Sequence, residues 1–430
     1  MFMKLVKQIL IGSITLGIVG NNLPAEDWPT FGGVGRDSVS SETNIVDSWD
    51  TDGPRLLWTA VGAGKGYASP AVANDQICTL GDHLSTTSDG QEYLVCFDAK
   101  SGKELWKTAV GPSWDEHGGR TSWNGARSTP TIDGDMVYVT TPFGKLVAAN
   151  RNNGSILWTK DLKADFGGKK KDNWGYSESP LIDGALLVCT PGGSKSTVVA
   201  LDKITGSTVW TCVRDGDVGA GHSSIVVSNV GGRKVYVQNT GMGPMGIDAL
   251  TGELLWTYDT NPPTAFIPSP IINGDLVFTY AGYGLGGALL QQIAGPGNKV
   301  SIKEHYGLNK ELGNKHGGLV LVDGYLYGGR EDKNVIFCAD LKTGNIAWEE
   351  RGSGSGSTSV AAVDGKLVVR YQDGTVALAR INADKLIESN PFKAPGSGDS
   401  NMPSWAHPVV SGGKLLLREN DSILCYDISK

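Results

Sequence analysis

The chain has 430 residues, among them 60 glycines and 19 prolines, and this abundance of turn-forming residues excludes a mainly helical protein. Its 38 basic and 45 acidic residues give a formal charge of −7 without a long run of like charge, which argues against nucleic acid as a partner. The composition favours many short strands joined by tight turns, as in an all-β protein.

The first 25 residues have the features of a secretory signal peptide. Lys4 and Lys7 precede an apolar run at 9–19, and small residues follow at a cleavage site around 23–25. The run is shorter than the roughly 20 residues of a membrane-spanning helix, and no later stretch is apolar enough to span a membrane. No Cys follows the run to carry a lipid anchor. We therefore expect a periplasmic or secreted protein with no transmembrane segment.

A short phrase returns along the chain, with an acidic or amide residue, then a small polar residue and Gly, then Trp four residues after the Gly. The copies end at these tryptophans: Trp106, Trp158, Trp210, Trp256 and Trp348. Asp or Asn can cap its own backbone in a tight turn, and Gly accepts the left-handed conformation that such a turn needs. We predict that each Trp is a structural anchor packed against a neighbouring sheet.

A second element is repeated between the phrases. Ser-Pro or an equivalent precedes two apolar stretches, and between them lies Asp-Gly, Asn-Gly or Gly-Gly, which accepts the positive φ of a hairpin turn. Eight copies begin at these residues: Ser69, Ser128, Ser179, Ser223, Ser269, Gly317, Ser359 and His407. Four strands for each copy predict an all-β, eight-bladed β-propeller of antiparallel blades over residues 26–430.

The ring needs one strand from the N-terminus, because the last copy has room for only three strands before the chain ends. The segment 54–58 has the pattern of an isolated fourth strand, so Trp58 is predicted to be a further structural anchor and its strand to close the ring. The fifth copy loses the phrase within 289–307, and the seventh has only 377–386 in its place.

Three of the six cysteines occupy a repeat position at which other copies carry Ala or Gly: Cys96, Cys338 and Cys425. A position restricted to small residues is typical of a crowded strand, so these cysteines are interpreted as small buried residues. Exported chains also form disulfides, and bridges from Cys78 to Cys96 or from Cys189 to Cys212 remain open as alternatives.

The phrase at 200–210 matches every fixed position of Ala-x-Asp-x-x-Thr-Gly-x-x-x-Trp, the motif of the pyrroloquinoline-quinone (PQQ)-like repeat propellers. The chain resembles that family over its whole predicted mature length. The Trp-Pro-x-Phe stretch at 28–31 is similar to the segment before the first blade of exported members. Resemblance to the non-enzymatic, BamB-like branch implies a monomeric protein-binding or scaffolding module in cell-envelope or outer-membrane protein assembly. Its implied partners are exported or envelope proteins, with no cofactor.

The enzymatic branch of the family gives the alternative, a quinone- or sugar-binding periplasmic oxidoreductase with PQQ and calcium. In those dehydrogenases the quinone typically lies under a ring of adjacent, disulfide-bonded cysteines, and Glu, Asn and Asp hold the calcium. No two cysteines are adjacent in this chain. The resemblance therefore favours the binding module.

Propeller ligands generally lie at the mouth of the central channel, where the chain enters each innermost strand. These connections contain the candidate binding residues: Tyr67, Arg120, Trp123, Arg127, Trp174, Tyr176, Glu178, His222, His316, Trp405 and His407. They could hold an anionic or planar ligand, or they could satisfy backbone groups where the blades converge. The connections 108–127 and 159–177 are long enough to grip a peptide or a sugar, or to pack over the propeller face.

No catalytic or metal motif is found in the sequence. Gly-x-Gly-x-x-Gly occurs at 241–246 and 282–287, but both copies fall where a hairpin is predicted. The chain lacks Gly-x-Ser-x-Gly, His-Glu-x-x-His and Cys-x-x-Cys, so no catalytic residue and no zinc site is predicted. The lysine run at 169–171 is interpreted as a solvated loop.

Overall fold

The computed structural model of the chain describes residues 27–82, 90–114, 123–216 and 218–430. The predicted signal peptide at 1–25 and the candidate residue Arg120 lie outside these ranges. Within them the chain forms an eight-bladed β-propeller, and each blade has four antiparallel strands. The predicted fold class is confirmed.

Blades 1 to 4 follow one another along the chain. Blade 1 comprises Ala71–Ala73, Gln76–Asp82, Gln91–Asp98 and Glu104–Pro112. Blade 2 comprises Thr131–Asp133, Met136–Thr140, Lys145–Asn150 and Ile156–Asp161. Blade 3 comprises Leu181–Asp183, Leu186–Cys189, Val198–Asp202 and Thr208–Cys212. Blade 4 comprises Val226–Val230, Arg233–Thr240, Gly243–Asp248 and Leu254–Thr257.

Blades 5 to 8 complete the ring. Blade 5 comprises Ile271–Asn273, Leu276–Ala281, Gly286–Ala294 and Val300–Asn309. Blade 6 comprises Leu319–Val322, Tyr325–Gly329, Val335–Asp340 and Ile346–Arg351. Blade 7 comprises Thr358–Val363, Lys366–Tyr371, Thr375–Arg380 and Glu388–Lys393, with the short strand Val39–Ser40 added in parallel. Blade 8 comprises Val409–Ser411, Lys414–Glu419, Ser422–Asp427 and the N-terminal strand Arg55–Val61.

The N-terminal strand closes the ring as predicted. Arg55–Val61 pairs antiparallel with Ser422–Asp427 and places Trp58 opposite Cys425. Because the first and last segments share one sheet, the C-terminal strand Ser422–Asp427 is paired on both sides and is not left as an edge.

Helices are few and short in the described part of the chain. They comprise the α-helix Leu162–Phe166 and the 3-10 turns Pro296–Asn298 and Lys310–Leu312. Across the described ranges, no helix has the length and apolar character needed to cross a membrane.

Each phrase forms the turn between the third and fourth strands, as at Asp202. Its Oδ1 accepts hydrogen bonds from the backbone N–H of Thr205 at 2.8 Å and from the hydroxyl of that residue at 2.9 Å. Gly206 follows with a φ of 70°. The acid therefore caps the turn while the glycine takes the left-handed conformation. The acids of three other phrases bond in the same way: Asp98, Asp248 and Asp340.

The anchor tryptophans pack between neighbouring blades. The ring of Trp106 lies against Gly154 of the next blade, where an added Cβ would lie 2.4 Å from the ring. The indole nitrogen of Trp106 donates to the carbonyl oxygen of Arg151 at 2.7 Å. The same ring-to-glycine contact occurs in these pairs: Trp58 with Gly102, Trp158 with Gly206, and Trp210 with Gly252. The phrase glycine is thus required by the turn and by the neighbouring Trp.

The small residue of each repeat lies directly opposite the anchor Trp. The cysteines at this position form these cross-strand pairs: Cys96 with Trp106, Cys338 with Trp348, and Cys425 with Trp58. At Gly246, which faces Trp256, an added Cβ would lie 2.1 Å from the indole nitrogen. The position is crowded because the Trp side chain covers it.

All six cysteines are buried and free. Cys78 and Cys96 lie on adjacent strands, where one thiol donates to the other at 3.0 Å without a covalent bond. Cys189 and Cys212 lie on the second and fourth strands of blade 3, with the third strand between them. Strands two apart are separated by roughly 10 Å, which no disulfide spans. Neither of the two bridges considered from the sequence is present.

Blades 5 and 7 keep the docking contact without the phrase. In blade 5, Tyr306 packs on Gly344, and its hydroxyl donates to the carbonyl oxygen of Leu341 at 2.9 Å. In blade 7, Phe392 packs against Gly53, just before the closing strand. Other aromatic rings therefore replace the missing tryptophans at these two junctions.

The segment 28–40, here called the channel plug, crosses one end of the central channel. Trp28 pairs with blade 1, and Arg36 donates to a backbone carbonyl oxygen at the start of blade 3 at 2.7 Å. Val39–Ser40 then pairs with the first strand of blade 7. Phe31 of the plug points toward the channel, where its ring contacts His407 with centroids 4.8 Å apart. The plug therefore blocks this end and leaves the opposite end as the mouth.

Candidate functional site

The repeat places one residue of each blade around the channel mouth. These residues lie one to four positions before the innermost strand of each blade and form what we call the mouth ring: Tyr67, Arg127, Ser177, His222, Ile267, His316, Ser357 and Trp405. Beneath it lies a second layer of mostly hydroxyl-bearing residues that bond from blade to blade. The backbone N–H of Ser69 donates to Thr129 Oγ1 at 3.1 Å, and that of His407 donates to Ser69 Oγ at 2.8 Å. The fold thus fixes the height and direction of each ring residue.

A cavity of about 330 Å³ lies between the mouth ring and the plug. Most of the candidate residues predicted from the sequence line it: Tyr67, Trp123, Arg127, Trp174, His222, His316, Trp405 and His407. Residues that the sequence analysis did not select complete the wall: Phe31, Ser177, Tyr283, Lys315, Asp332 and Gln372. The structure therefore brings residues from distant repeats to one site, whose occupancy by a ligand stays a prediction.

Two candidate residues do not face the cavity. The hydroxyl of Tyr176 donates to the carbonyl oxygen of Pro191 at 2.9 Å. Glu178 is buried and accepts from the backbone N–H of Thr190 at 2.7 Å, and burial raises the pKa of its carboxyl to about 7. Successive residues of extended chain point to opposite sides, so the cavity receives Ser177 instead of its two neighbours.

Trp405 is the centre of the aromatic wall. Its ring stacks on His316 with centroids 4.2 Å apart and an interplanar angle of 26°. Trp123 and Tyr67 lie against the same indole at 4.7 Å and 5.1 Å. The indole nitrogen donates to Gln372 Oε1 at 2.9 Å. These contacts fix a broad aromatic surface on one side of the cavity.

Ser177, His222 and Asp172 form a hydrogen-bonded chain on the opposite side. His222 Nε2 lies 2.9 Å from Asp172 Oδ2, and His222 Nδ1 lies 2.6 Å from Ser177 Oγ. The side chains of His222 and Asp172 are each only 7% exposed. An ionised carboxylate can only accept, so Nε2 of a neutral His222 carries the proton. Nδ1 is then the acceptor, and the hydroxyl of Ser177 donates to it.

The loop that carries Asp172 is held from both sides. Asp172 Oδ1 accepts from the backbone N–H of Trp174 at 2.9 Å, and Lys170 pairs in parallel with Ala220. Burial alone would raise the pKa of Asp172, but His222, the positive charge of Lys170 and the hydrogen bonds hold the pKa well below its usual range. Asp172 is therefore an anion at neutral pH.

A second serine–histidine pair lies across the ring and has the opposite polarity. His316 Nδ1 lies 2.8 Å from Ser357 Oγ, and Ser357 Oγ lies 2.9 Å from Gln372 Oε1. The indole N–H of Trp405 can only donate, so the Gln372 atom that it contacts is the oxygen. The single proton of Ser357 therefore goes to Gln372, and His316 Nδ1–H donates to Ser357.

The three histidines of the cavity are neutral at physiological pH. Burial, together with the positive charge of Lys170, lowers the pKa of His222 to about 4. Burial likewise lowers the pKa of His316 to about 3 and that of His407 to about 4. His407 Nε2 donates to the carbonyl oxygen of His316 at 2.9 Å. This leaves His407 Nδ1 as an acceptor with no partner among the described residues.

Three basic side chains lie around the site, and each has a different kind of partner. Arg127 lines the cavity and donates to two backbone carbonyl oxygens, those of Gly125 and Trp123. Lys315 is paired with Asp332 at 2.6 Å. Lys170 donates to a backbone carbonyl oxygen, and burial lowers its pKa to about 8. The interpretation of 169–171 as a solvated loop is therefore wrong for Lys170.

The donor set does not fit the calcium and quinone of the enzymatic branch. No group of three or more His, Cys, Asp and Glu side chains able to hold a metal ion occurs within the described ranges. Asp172 is bound to His222 and Asp332 to Lys315, while Glu178 faces away from the cavity. A calcium-bound quinone would thus meet no cluster of carboxylates here.

A family model described as "Outer membrane protein assembly factor BamB" matches residues 90–350, more than half of the chain. BamB of Bordetella pertussis is 22% identical over 306 residues, which cover 69% of this chain and 68% of that protein. Polyvinylalcohol dehydrogenase of a Sphingopyxis strain is 27% identical over 188 residues, covering 36% of this chain and 28% of the enzyme. The chain thus spans about two thirds of that BamB and less than a third of that dehydrogenase.

Solved structures of both branches share the fold. BamB from Moraxella catarrhalis superposes with a TM-score of 0.53 at 16% identity, covering 89% of this chain and 97% of that chain. A europium-containing methanol dehydrogenase superposes with a TM-score of 0.65 at 13% identity, covering 91% of this chain and 89% of that chain. At such identities the likeness concerns the propeller alone.

Proposed function

The chain belongs to the family described as outer membrane protein assembly factor BamB, the PQQ-like repeat propellers, and we propose that it is an exported protein that binds a small ring-shaped organic molecule at the channel mouth. The observation that carries this proposal is the cavity of about 330 Å³, which has aromatic walls and a floor formed by Phe31. Concave, mostly apolar sites with a few fixed polar groups are typical of small-molecule binding.

The polar groups of the cavity define the ligand further. Within the described part of the chain Arg127 bonds only to carbonyl oxygens, so its guanidinium can take one anionic group of a ligand. The indole of Trp405 offers a face for stacking. The ligand is therefore a neutral or singly negative ring compound, either an aromatic acid or a sugar.

Calorimetric titration with 2-naphthoate and with cellobiose tests the proposal and distinguishes an aromatic acid from a sugar as the ligand. We expect saturable binding of one molecule of at least one compound, weakened roughly tenfold or more by Trp405→Ala. Arg127→Gln should weaken 2-naphthoate about tenfold and leave cellobiose unchanged, since only the acid uses the guanidinium. Arg55→Gln, at an exposed arginine paired with Asp427, is the matched control. No heat with either compound would contradict the proposal.

A second candidate function is a protein-binding module in cell-envelope assembly. The family description and the BamB relative support it. A partner protein would then contact the mouth through the loops that carry Trp123 and Trp174. The wild type should capture exported proteins, and the double variant Trp123→Ala, Trp174→Ala should not. Unchanged capture by the double variant would contradict this candidate function.

A further inference from the structure

We propose that Ser177 is the nucleophile of an acyl-transfer site that hydrolyses small carboxylic esters at the channel mouth. His222 acts as its general base, and Asp172 is the positioning residue that orients the imidazole. The inference deepens the proposed function, since the same cavity has to admit the ester.

The hydrogen-bonded chain supplies what a serine nucleophile needs. Ser177 Oγ donates to His222 Nδ1 over 2.6 Å, so a base is already placed on the proton that has to leave. Asp172 accepts from Nε2 over 2.9 Å and holds the one tautomer in which Nδ1 is free to accept. The roles match those of the serine, histidine and aspartate of hydrolases, although the two imidazole nitrogens are exchanged.

The reacting oxygen is open to the cavity, while its supporting groups are buried. Ser177 lines the wall together with His222, and among the described residues its hydroxyl has no other hydrogen bond. Because the histidine and the aspartate are shielded from water, their hydrogen bond is stronger than one on the surface. Ser177 is therefore reachable by a ligand, and its proton acceptor is held in place.

Arg127 supplies a positive charge on the side of the cavity that holds Ser177. Arg127 is the neighbour of Ser177 in the mouth ring and lines the same cavity. Its charge interacts with both Asp172 and His222, which places the guanidinium near the hydrogen-bonded chain. Donors fixed before the reaction in such a shielded site stabilise a tetrahedral intermediate more than water does.

The reaction balances without any redox partner. Ser177 Oγ attacks the ester carbonyl carbon as its proton passes to His222 Nδ1. The bond from that carbon to the alcohol oxygen then breaks, and the leaving oxygen takes the proton from Nδ1. Water attacks the acyl-serine in the second half, its proton passes through His222 to Ser177 Oγ, and the carboxylic acid leaves. The sum is ester plus water giving acid plus alcohol.

Covalent labelling tests the assignment. Purified full-length protein is incubated at pH 7.5 with diisopropyl fluorophosphate, and the labelled residue is identified by mass spectrometry. We expect one label on Ser177, none in Ser177→Ala, and a labelling rate at least a hundredfold lower in His222→Gln. Ser301→Ala is the control, because Ser301 is an exposed serine on the outermost strand of blade 5 and does not line the cavity; its label should equal that of the wild type.

Turnover and folding are measured on the same samples. Wild type and Ser301→Ala should hydrolyse 4-nitrophenyl acetate, and Ser177→Ala should not, with circular dichroism spectra that show all three folded. A folded wild type that takes no label, or takes it on another residue, would overturn the assignment. Titration of the wild type with 2-naphthoate separates the two proposals, because a wild type that binds 2-naphthoate but takes no label leaves the proposed function intact and removes only the nucleophile.

Discussion

The two serine–histidine pairs of the mouth ring have nearly the same contact and opposite chemistry. Ser177 lies 2.6 Å from His222, and Ser357 lies 2.8 Å from His316. The third partner differs: an aspartate lies beyond His222, whereas the Gln372 oxygen lies beyond Ser357. Because Asp172 accepts from His222 Nε2, Ser177 donates its hydroxyl proton to His222 Nδ1. Ser357 instead donates its hydroxyl proton to the Gln372 oxygen. A short serine–histidine distance therefore does not by itself identify a nucleophile.

The difference arises from the connections that lead into blades 3 and 7. The connection into blade 3 includes the helix Leu162–Phe166 and the loop on which Asp172 lies. The connection into blade 7 at 352–357 contains only Gly and Ser, and Ser357 takes its acceptor from Gln372, just after a strand of its own blade. The longer connection before blade 3 thus places a carboxylate beside the mouth ring, and the short connection before blade 7 does not.

Among the changes that test the difference between the two serine–histidine pairs, loss of the Asp172 carboxylate should have the largest effect. In Asp172→Asn the amide can donate to His222 Nε2 and favour the wrong tautomer, so we expect the labelling rate of Ser177 to fall by about 10² to 10⁴. The exposed Asp165, in the same connection, gives the control Asp165→Asn, which should label like the wild type. Rates are measured by mass spectrometry over time, and an unchanged rate in Asp172→Asn would show that the acid does not orient the histidine.

Removal of the aromatic centre should have the next largest effect. Trp405→Ala removes the ring stacked on His316 and the hydrogen bond to Gln372, and we expect roughly tenfold weaker ligand binding. Trp405→Phe keeps a ring at this position and should lose less affinity. Calorimetry measures both variants, and equal affinity for the two would mean that stacking does not contribute.

Low pH should lower the stability of the folded protein, because the buried histidines of the mouth ring are neutral. The pKa of His316 is about 3 in the folded protein and near 6.5 when unfolded, so its contribution is present above pH 6.5 and is lost as the pH falls below that value. Relative to His316→Asn, the wild type should lose about 2 kcal/mol of unfolding free energy between pH 7 and pH 5. Urea unfolding at both pH values measures this difference, and parallel losses would show that His316 titrates normally.

The smallest expected effect is the difference between the pKa values of His222 and His316. Asp172 favours the protonated form of His222, whereas Lys315, His407 and His222 all disfavour protonation of His316. We therefore expect His222 to protonate at the higher pH, near 4 against about 3. Nuclear magnetic resonance of the imidazole carbons between pH 3 and pH 7 follows both groups, and the reverse order would contradict the assigned neighbours.

The propeller could be predicted from the sequence because its determinants are local and repeated. The acid, the glycine and the Trp of a phrase fall within nine residues at Asp98 and Trp106, and the hairpin dipeptides recur in seven blades, with Asn-Asp in their place at 74–75 of blade 1. The closing strand was also predictable, since Trp58 carries the same pattern alone. Tyr306 and Phe392 were missed because they fill the Trp position with another ring.

The site was predictable only in part. Aromatic, cationic and histidine side chains stand out in the connections, so Trp405, Arg127 and His222 could be selected by residue type. Ser177 and Asp172 could not, because their role depends on proton directions set by partners far apart in the sequence. Tyr176 and Glu178 were selected wrongly as cavity residues, since residue type does not tell which side of extended chain faces the channel. Counting positions back from each blade start would have found Ser177.

The most direct test of the two proton directions is the tautomer of each histidine. Long-range proton–nitrogen correlation spectra of histidine-labelled protein at pH 7, assigned with His222→Gln and His316→Asn, distinguish Nδ1–H from Nε2–H. The structure predicts Nε2–H for His222 and Nδ1–H for His316. A proton on Nδ1 of His222 would contradict the account, because Ser177 would then accept a hydrogen bond and have no base.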